Sequence, residues 1–237
     1  MILLEVKNLS RNFGGVRALD AVNITQAAGE TLGMIGPNGS GKTSFVNAVT
    51  GHLVPDKGTI CFGGDQITGL RPHQITRAGL TRTYQQVRVL GKLTVSENLA
   101  TARLLHADRG LSDDDIAALL DWLKLDHCLD HRAGGLTLFE QRRLELAMRL
   151  LLKPRLIMLD EPVGGLAAGE VREMIELLTE LRARCAVFVI EHTMKVIREL
   201  ADRVVVLIAG EKIADGPPAE ILRDRRVIEH YLGAVHA

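Results

Sequence analysis

The chain has no surplus charge: 29 Lys and Arg residues balance 29 Asp and Glu, for a formal net charge of +0. The strong basic field that marks many nucleic-acid binders is therefore missing. Cysteine is scarce. Cys61, Cys128 and Cys185 are far apart, odd in number and never in a C-x-x-C pair. That pattern argues against a disulfide framework or a zinc site and fits a reducing cytoplasm. The first residues, Met1-Ile2-Leu3-Leu4-Glu5-Val6-Lys7, lack the apolar h-region of a signal peptide. Apolar runs such as Val204-Val205-Val206-Leu207-Ile208-Ala209 fall far short of the ~20 residues that span a bilayer. No internal repeat, low-complexity tract or disordered linker interrupts the chain. What is left is the expectation of a soluble protein. Its 237 residues, 46% hydrophobic, suffice for one large domain or a domain with an inserted subdomain.

What is present is concentrated in one stretch, Gly36-Pro37-Asn38-Gly39-Ser40-Gly41-Lys42-Thr43. It fits G-x-x-x-x-G-K-[ST], the phosphate-binding P-loop. Residues 31–35 before it predict a short buried strand, and residues 43–50 after it predict a helix, the context this pattern requires. Glycines let successive N–H groups turn inward toward phosphate oxygens, and the helix start adds its positive dipole end. Lys42 is placed to reach the β- and γ-phosphates and Thr43 to offer its hydroxyl to Mg²⁺.

Taken in order, residues 2–9 and 22–26 alternate apolar and polar side chains and predict sheet strands. Phe13-Gly14-Gly15 lies between them. Its ring suits an adenine face and equally suits a core position beside a hairpin turn. Residues 58–62 predict a strand, Gly63-Gly64-Asp65 a turn, and Pro72 opens a short helix. Residues 80–84 predict a strand ending at Gln85-Gln86, where a Gln either senses a metal or attacking water or is simply solvated. From 94 to about 152 the pattern is helical. Thr94 and Glu97 have capping-box spacing. Ser112 precedes Asp113-Asp114-Asp115, which reads as a capped helix start rather than a metal site. Leu119 and Trp122 are expected in the core. Residues 137–152 carry the longest helical pattern, with Leu144, Ala147, Met148 and Leu151 on one side.

Lys153-Pro154 ends that helix. Leu156-Ile157-Met158-Leu159-Asp160-Glu161 has the Walker B form, an apolar strand buried on both faces and ending in two acids. Asp160 is expected to hold Mg²⁺, directly or through water. Glu161 is expected to orient and polarise the water that attacks the γ-phosphate. Residues 167–183 predict a helix and 186–190 a buried strand ending in Glu191-His192. That strand end lies where ligands bind in open α/β sheets, which suits His192 to a γ-phosphate contact. Residues 203–208 and 211–215 alternate like a hairpin around Gly210, and 217–223 and 225–232 predict short helices.

This order of motifs resembles an ABC-type ATPase over the whole chain. It is most similar to the ATP-binding subunits of branched-chain amino-acid importers. The resemblance is carried by Phe13-Gly14-Gly15, Arg82-Thr83-Tyr84-Gln85, Leu93-Thr94-Val95-Ser96-Glu97-Asn98-Leu99, Gln141-Arg142-Arg143-Leu144-Glu145, Ile190-Glu191-His192 and Tyr231-Leu232-Gly233. Ile35-Gly36-Pro37-Asn38-Gly39 and Leu159-Asp160-Glu161-Pro162 with Gly165-Leu166 resemble the G-type of that importer's two ATPases rather than the F-type. The resemblance implies an α/β fold: a P-loop NTPase, RecA-like core over 1–85 and 154–237, an antiparallel β subdomain, and an inserted α-helical subdomain with the signature motif over 86–153. It implies ATP and Mg²⁺ as ligands, Phe13 facing adenine, and phosphate contacts from Asn38, Gly39, Ser40, Gly41, Lys42 and Thr43. It further implies Thr43, Gln85 and Asp160 at the metal, Glu161 at the catalytic water and His192 at the γ-phosphate. The implied partners are a second ABC ATPase subunit, in a heterodimer or a homodimer, and transmembrane permease subunits. A cytoplasmic helix of the permease would dock around residues 84–90 and the helical subdomain. The chain would work in the cytoplasm, peripheral on the inner face of the cell membrane and held there only through the permease, with no nucleic-acid partner.

One motif departs from the pattern. The family's L-S-G-G-Q signature falls on Leu136-Thr137-Leu138-Phe139-Glu140. In this family the signature serves the nucleotide held by the opposite subunit, so Thr137, Phe139 and Glu140 are the corresponding contacts. Phe139 is expected to put a bulky side chain where close approach is needed, and Glu140 to bring a negative charge toward phosphate. Ala167-Ala168 also lack the acid or amide usual after Gly165-Leu166. The site built from this chain's P-loop is then expected to hydrolyse ATP and the one using its signature to be impaired, with Phe139→Gly plus Glu140→Gln raising turnover. Three other readings follow: a regulatory subunit that binds ATP but hardly hydrolyses it, an importer ATPase for urea or other amides, and a soluble ATPase acting on DNA or ribosomes. The short insertion, single P-loop and neutral charge oppose the last.

Overall fold

The strands sort into two sheets of opposite character. The computed structural model describes residues 1–104 and 111–233. In chain order it contains β1 (Ile2–Phe13), β2 (Val16–Ala27), β3 (Thr31–Ile35), α1 (Lys42–Val49), β4 (Lys57–Phe62), β5 (Asp65–Gln66), α2 (Pro72–Ala78) and β6 (Leu80–Arg82). Then come α3 (Val95–Leu104), α4 (Asp113–Trp122), α5 (Leu138–Leu150), β7 (Leu156–Asp160), α6 (Ala168–Leu181), β8 (Ala186–Ile190), α7 (Met194–Leu200), β9 (Arg203–Ile208), β10 (Glu211–Gly216), α8 (Pro218–Ile221) and α9 (Arg225–Gly233). One sheet has the order β2-β1-β4-β5 and is antiparallel. The other has the order β10-β9-β3-β8-β7-β6; all but β10 run parallel. The fold is the expected α/β P-loop architecture with an added antiparallel sheet and a helical stretch between β6 and β7.

β3, β7 and β8 are buried at every residue, which is why their sequences are continuously apolar rather than alternating. Met34, Phe45, Phe62, Met158 and Phe188 share one core between α1, the antiparallel sheet and the parallel sheet. Leu144, Ala147, Leu159, Met174, Val189 and Val204 belong to the core on the other side, with α5, α6 and α7. The parallel sheet is covered on both faces, and its β-strand C-terminal ends are left to form an edge with loops.

Several expectations change in detail. The β1–β2 hairpin runs to Phe13 and Val16 rather than stopping near residues 9 and 22; register shifts along it break the simple alternation. β6 stops at Arg82, not residue 84, although the Thr83 N–H still bonds the Met158 carbonyl at 2.9 Å. β9 does not alternate: Val204, Val205, Val206 and Leu207 are all buried, because Val204 and Val206 enter the core on one face of the sheet and Val205 and Leu207 the core on the other. α6, with 14 residues, is longer than α5, with 13. Leu119 is buried, whereas Trp122 is only partly covered and donates its indole N–H to Glu180 at 2.5 Å. The caps form as the spacing predicts: Thr94 with Glu97 and Ser112 with Asp115.

Candidate functional site

β3 ends at Ile35 and the chain turns at once through the glycine-rich loop. A Cβ on Gly36 would lie 2.2 Å from the Leu207 carbonyl oxygen, and one on Gly41 (φ 104°) would lie 2.3 Å from that of Ala18. Only glycine fits at either place. α1 then starts with Gly41 as its N-cap, with no side-chain cap and no acid in the first turn, so the helix start keeps its positive end open. The Ser40 hydroxyl is buried with no hydrogen-bond partner. Lys42 Nζ folds onto its own loop and donates to the Gly36 carbonyl at 2.7 Å and the Pro37 carbonyl at 3.0 Å. Burial pulls its pKa down while Glu161 and Asp160 push it back up. Asn38, Gly39 and Thr43 are exposed. An orphaned hydroxyl, open helix N–H groups and a cation together fit a polyphosphate.

The acids follow β7. Asp160 is the last residue of the strand and Glu161 the first beyond it. Glu161 sits at φ 49°, a left-handed conformation uncommon outside glycine. Its N–H is held by the Ile190 carbonyl of β8 at 2.9 Å. This turn aims its carboxylate at two neighbours. Gln85 Nε2 donates to Glu161 Oε2 at 2.8 Å, and His192 Nδ1 lies 3.6 Å from Oε1. Thus segments following β6, β7 and β8 bring Gln85, Glu161 and His192 together. Asp160 accepts from Arg82 Nη2 through Oδ2 at 3.1 Å. Burial raises its pKa, and Arg82 opposes that rise. Among the described residues no group of three or more His, Cys, Asp or Glu side chains forms a metal cage. Mg²⁺ does not need one: it is commonly held by one or two carboxylates together with substrate phosphates and water. Asp160 and the exposed Thr43 hydroxyl suit that mode.

Phe13 closes β1 at the hairpin tip and is 47% exposed, which removes the core alternative for its ring. The Arg11 guanidinium lies 5.0 Å from the ring centroid. β2 passes behind the P-loop at Ala18, where Gly41 packs.

The signature region requires a correction. Phe139 is 5% exposed, packed in the core with the Arg143 guanidinium 4.0 Å from its ring centroid. One position into a helix, a side chain turns by about 100°, so Leu138 and Phe139 face different ways. Leu138, at 40% exposure, is the one that projects; Phe139 does not obstruct the surface. Glu140 is not a loose charge either. Thr137 is the N-cap of α5 and accepts from the Glu140 N–H at 3.2 Å. Glu140 Oε2 accepts from the Thr137 N–H and hydroxyl, both at 2.8 Å. The Thr137 backbone bond holds the Glu140 carboxyl below its ordinary range, and His127 Nε2 lies 3.6 Å from Oε1.

Two further residues shape the site without having been singled out as contacts. Arg82 reads in the sequence as an ordinary strand residue, yet it is a buried cation against Asp160. Glu191 is fully buried. It accepts from Val163 N–H through Oε1 at 3.2 Å and from His192 N–H through Oε2 at 3.2 Å. It thereby ties the loop after Glu161 to the loop that carries His192. The available signal was an acid at the C-terminal end of a buried parallel strand, a position that burial alone does not favour.

A family model described as ABC transporter matches residues 19–164, and one described as branched-chain amino acid ATP-binding cassette transporter matches residues 211–237. The high-affinity branched-chain amino acid transport ATP-binding proteins of Pseudomonas aeruginosa and Escherichia coli are each 36% identical to this chain, with 98% of both partners covered. A crystal structure of an ATP-binding cassette of an ABC transporter in its ADP conformation superposes with a TM-score of 0.89 at 30% identity, covering 98% of this chain and 99% of that one.

Proposed function

This chain belongs to the ATP-binding cassette family of ABC transporters, and from that premise we propose that it powers an importer of branched-chain amino acids. It is an ATPase whose hydrolysis is coupled to transport. The observation that carries the site assignment is the meeting of Gln85, Glu161 and His192 beside the open start of α1. The substrate assignment is supported by the relatives' own transport of branched-chain amino acids and by the match over residues 211–237.

In this proposal Lys42 exchanges its two loop carbonyls for the β- and γ-phosphates, joined by the N–H groups and hydroxyls from Asn38 to Thr43. Phe13, exposed at the hairpin tip, faces the adenine. Glu161 holds the attacking water, with Gln85 and His192 fixing its carboxylate; His192 also reaches the γ-phosphate. A Mg²⁺ ion held by Thr43 and Asp160, with Gln85 in reach, would neutralise charge on the phosphates. The core comprises 1–85 and 154–237, and 86–153 forms the signature-bearing helical subdomain. Among the described residues no helix is long and apolar enough to cross a membrane. The chain sits on the inner face of the cell membrane through a permease seated near residues 84–90.

The closed start of α5 supports an asymmetric dimer. The site using this chain's P-loop and a partner's signature turns over, and the site using Thr137, Leu138 and Glu140 is slow. A heterodimer keeps one good site where a homodimer has two poor ones. The test is deletion of the gene in its host with uptake of labelled leucine, isoleucine, valine and urea. Loss of branched-chain uptake, restored by the wild-type gene and not by Glu161→Gln, is expected. Loss of urea uptake alone would move the assignment to amides. Robust ATPase turnover by the purified homodimer would overturn the asymmetry.

A further inference from the structure

Arg82 ends β6 with its side chain buried, and its guanidinium is divided among several partners. Nη2 donates to Asp160 Oδ2 at 3.1 Å. Nη1 donates to Asn47 Oδ1 at 2.6 Å and Thr50 Oγ1 at 3.4 Å. Nε donates to the Thr83 carbonyl at 3.3 Å, and the guanidinium carbon lies 4.5 Å from the Tyr84 ring centroid. Asn47 lies on α1 and Thr50 closes it, so the helix that opens at Lys42 grips Arg82 with its other end. A planar fork held on so many sides has one orientation. Asp160 cannot turn Oδ2 away from it without leaving a buried charge unpaired, which is strongly unfavourable. Only Oδ1 remains without a hydrogen bond from the described residues.

We infer that Arg82 is a positioning residue that makes Asp160 a one-oxygen ligand and so sets the preference of the site for Mg²⁺ over Ca²⁺. The inference rests on the proposed metal role of Asp160. Mg²⁺ is small, demands near-octahedral geometry and keeps several waters, so one oxygen of a carboxylate serves it. Ca²⁺ accepts six to eight oxygens and readily takes both oxygens of one carboxylate. With Oδ2 occupied by Arg82, that two-oxygen mode is closed.

The experiment titrates a fluorescent ATP analogue onto the full-length protein in EDTA, in Mg²⁺ and in Ca²⁺, with melting recorded alongside. In Arg82→Met the ratio of Ca²⁺-supported to Mg²⁺-supported affinity is expected to rise about tenfold, because both carboxylate oxygens become free; the EDTA titration sets the metal-free baseline for each variant. Asn47→Ala loosens the fork but keeps the buried ion pair; it should shift the ratio the same way by less, and it covers the case in which Arg82→Met does not fold. Arg82→Lys, a point charge without a fork, should also raise the ratio. A ratio unchanged in Asn47→Ala and Arg82→Lys, with or without a lower melting temperature, overturns the inference. A wild-type protein whose nucleotide binding ignores divalent metal would instead overturn the metal role of Asp160, and the inference with it.

Discussion

α1 and α5 both begin at motifs expected to meet phosphate, and they begin in opposite ways. α1 opens behind Gly41, with no side-chain cap, no acid in its first turn, and Lys42 at its first position. α5 opens behind Thr137, whose hydroxyl and backbone are bound reciprocally by Glu140, with Leu138 projecting beside them. A glycine N-cap sacrifices only a few tenths of a kcal/mol against serine or threonine, so α1 keeps its donors for an anion at little cost. A closed capping box steadies α5 but spends donors and places a carboxylate at the positive end. The usual Gln would close the same box without the charge. The same backbone dipole therefore makes an open cradle in one place and a plugged one in the other.

The largest expected effect tests the open side. Glu161→Gln should lower the rate of phosphate release by about 10²–10⁴-fold, the span of a positioned general base, with ATP affinity kept in nucleotide titrations. A loss below tenfold would take Glu161 out of that role. Next, Phe139→Ala should cost about 3–5 kcal/mol in urea unfolding, as truncation of a core Phe does. A loss below ~1 kcal/mol would put the ring back on the surface and revive it as the obstruction. Lys42→Ala should weaken ATP binding by roughly 10- to 100-fold in calorimetry, the worth of one or two charge-assisted hydrogen bonds.

The closed side is tested by opening it. Leu138→Gly with Glu140→Gln, leaving Phe139 in the core, should raise homodimer turnover by about fivefold, equivalent to about 1 kcal/mol for removing one surface charge near phosphate. Glu140→Gln alone separates charge from bulk, and no gain in either would erase the contrast between the two helices. The smallest effect is on stability. The Thr137 N–H holds the Glu140 carboxyl below its ordinary value near 4.5, so its contribution is fully present above that value and is lost as pH falls through the lowered one. The stability gap between wild type and Glu140→Gln, at most about 1 kcal/mol at neutral pH, should close in acid. A gap that persists from pH 7 to 3 would detach it from the Glu140 charge.

Much of the parallel sheet was legible in the chain because buried strands are continuous apolar runs with sharp ends; 31–35 and 186–190 coincide with β3 and β8. The hairpin was read too short because irregular pairing between Val6 and Arg11 disturbs the alternation. At the site, Glu161 was legible as the acid after a buried strand, but its left-handed turn and its bond from Gln85 were not. Phe139 was misread because a motif gives the order of residues and not the direction in which a helix turns each one.

The sequence alone identifies the P-loop, since its glycines, its lysine and its helix start are contiguous, although the carbonyls that demand Gly36 and Gly41 come from the distant Leu207 and Ala18. It likewise determined the charge at Glu140 and the spacing that lets that residue cap α5. Packing between elements turns Phe139 to the core and Leu138 to the surface and brings Arg82 to Asp160 across a separation of 78 residues. The physical reason is that burial and ion pairing depend on which elements pack together. β6 lies beside β7, and no pattern within either strand carries that fact.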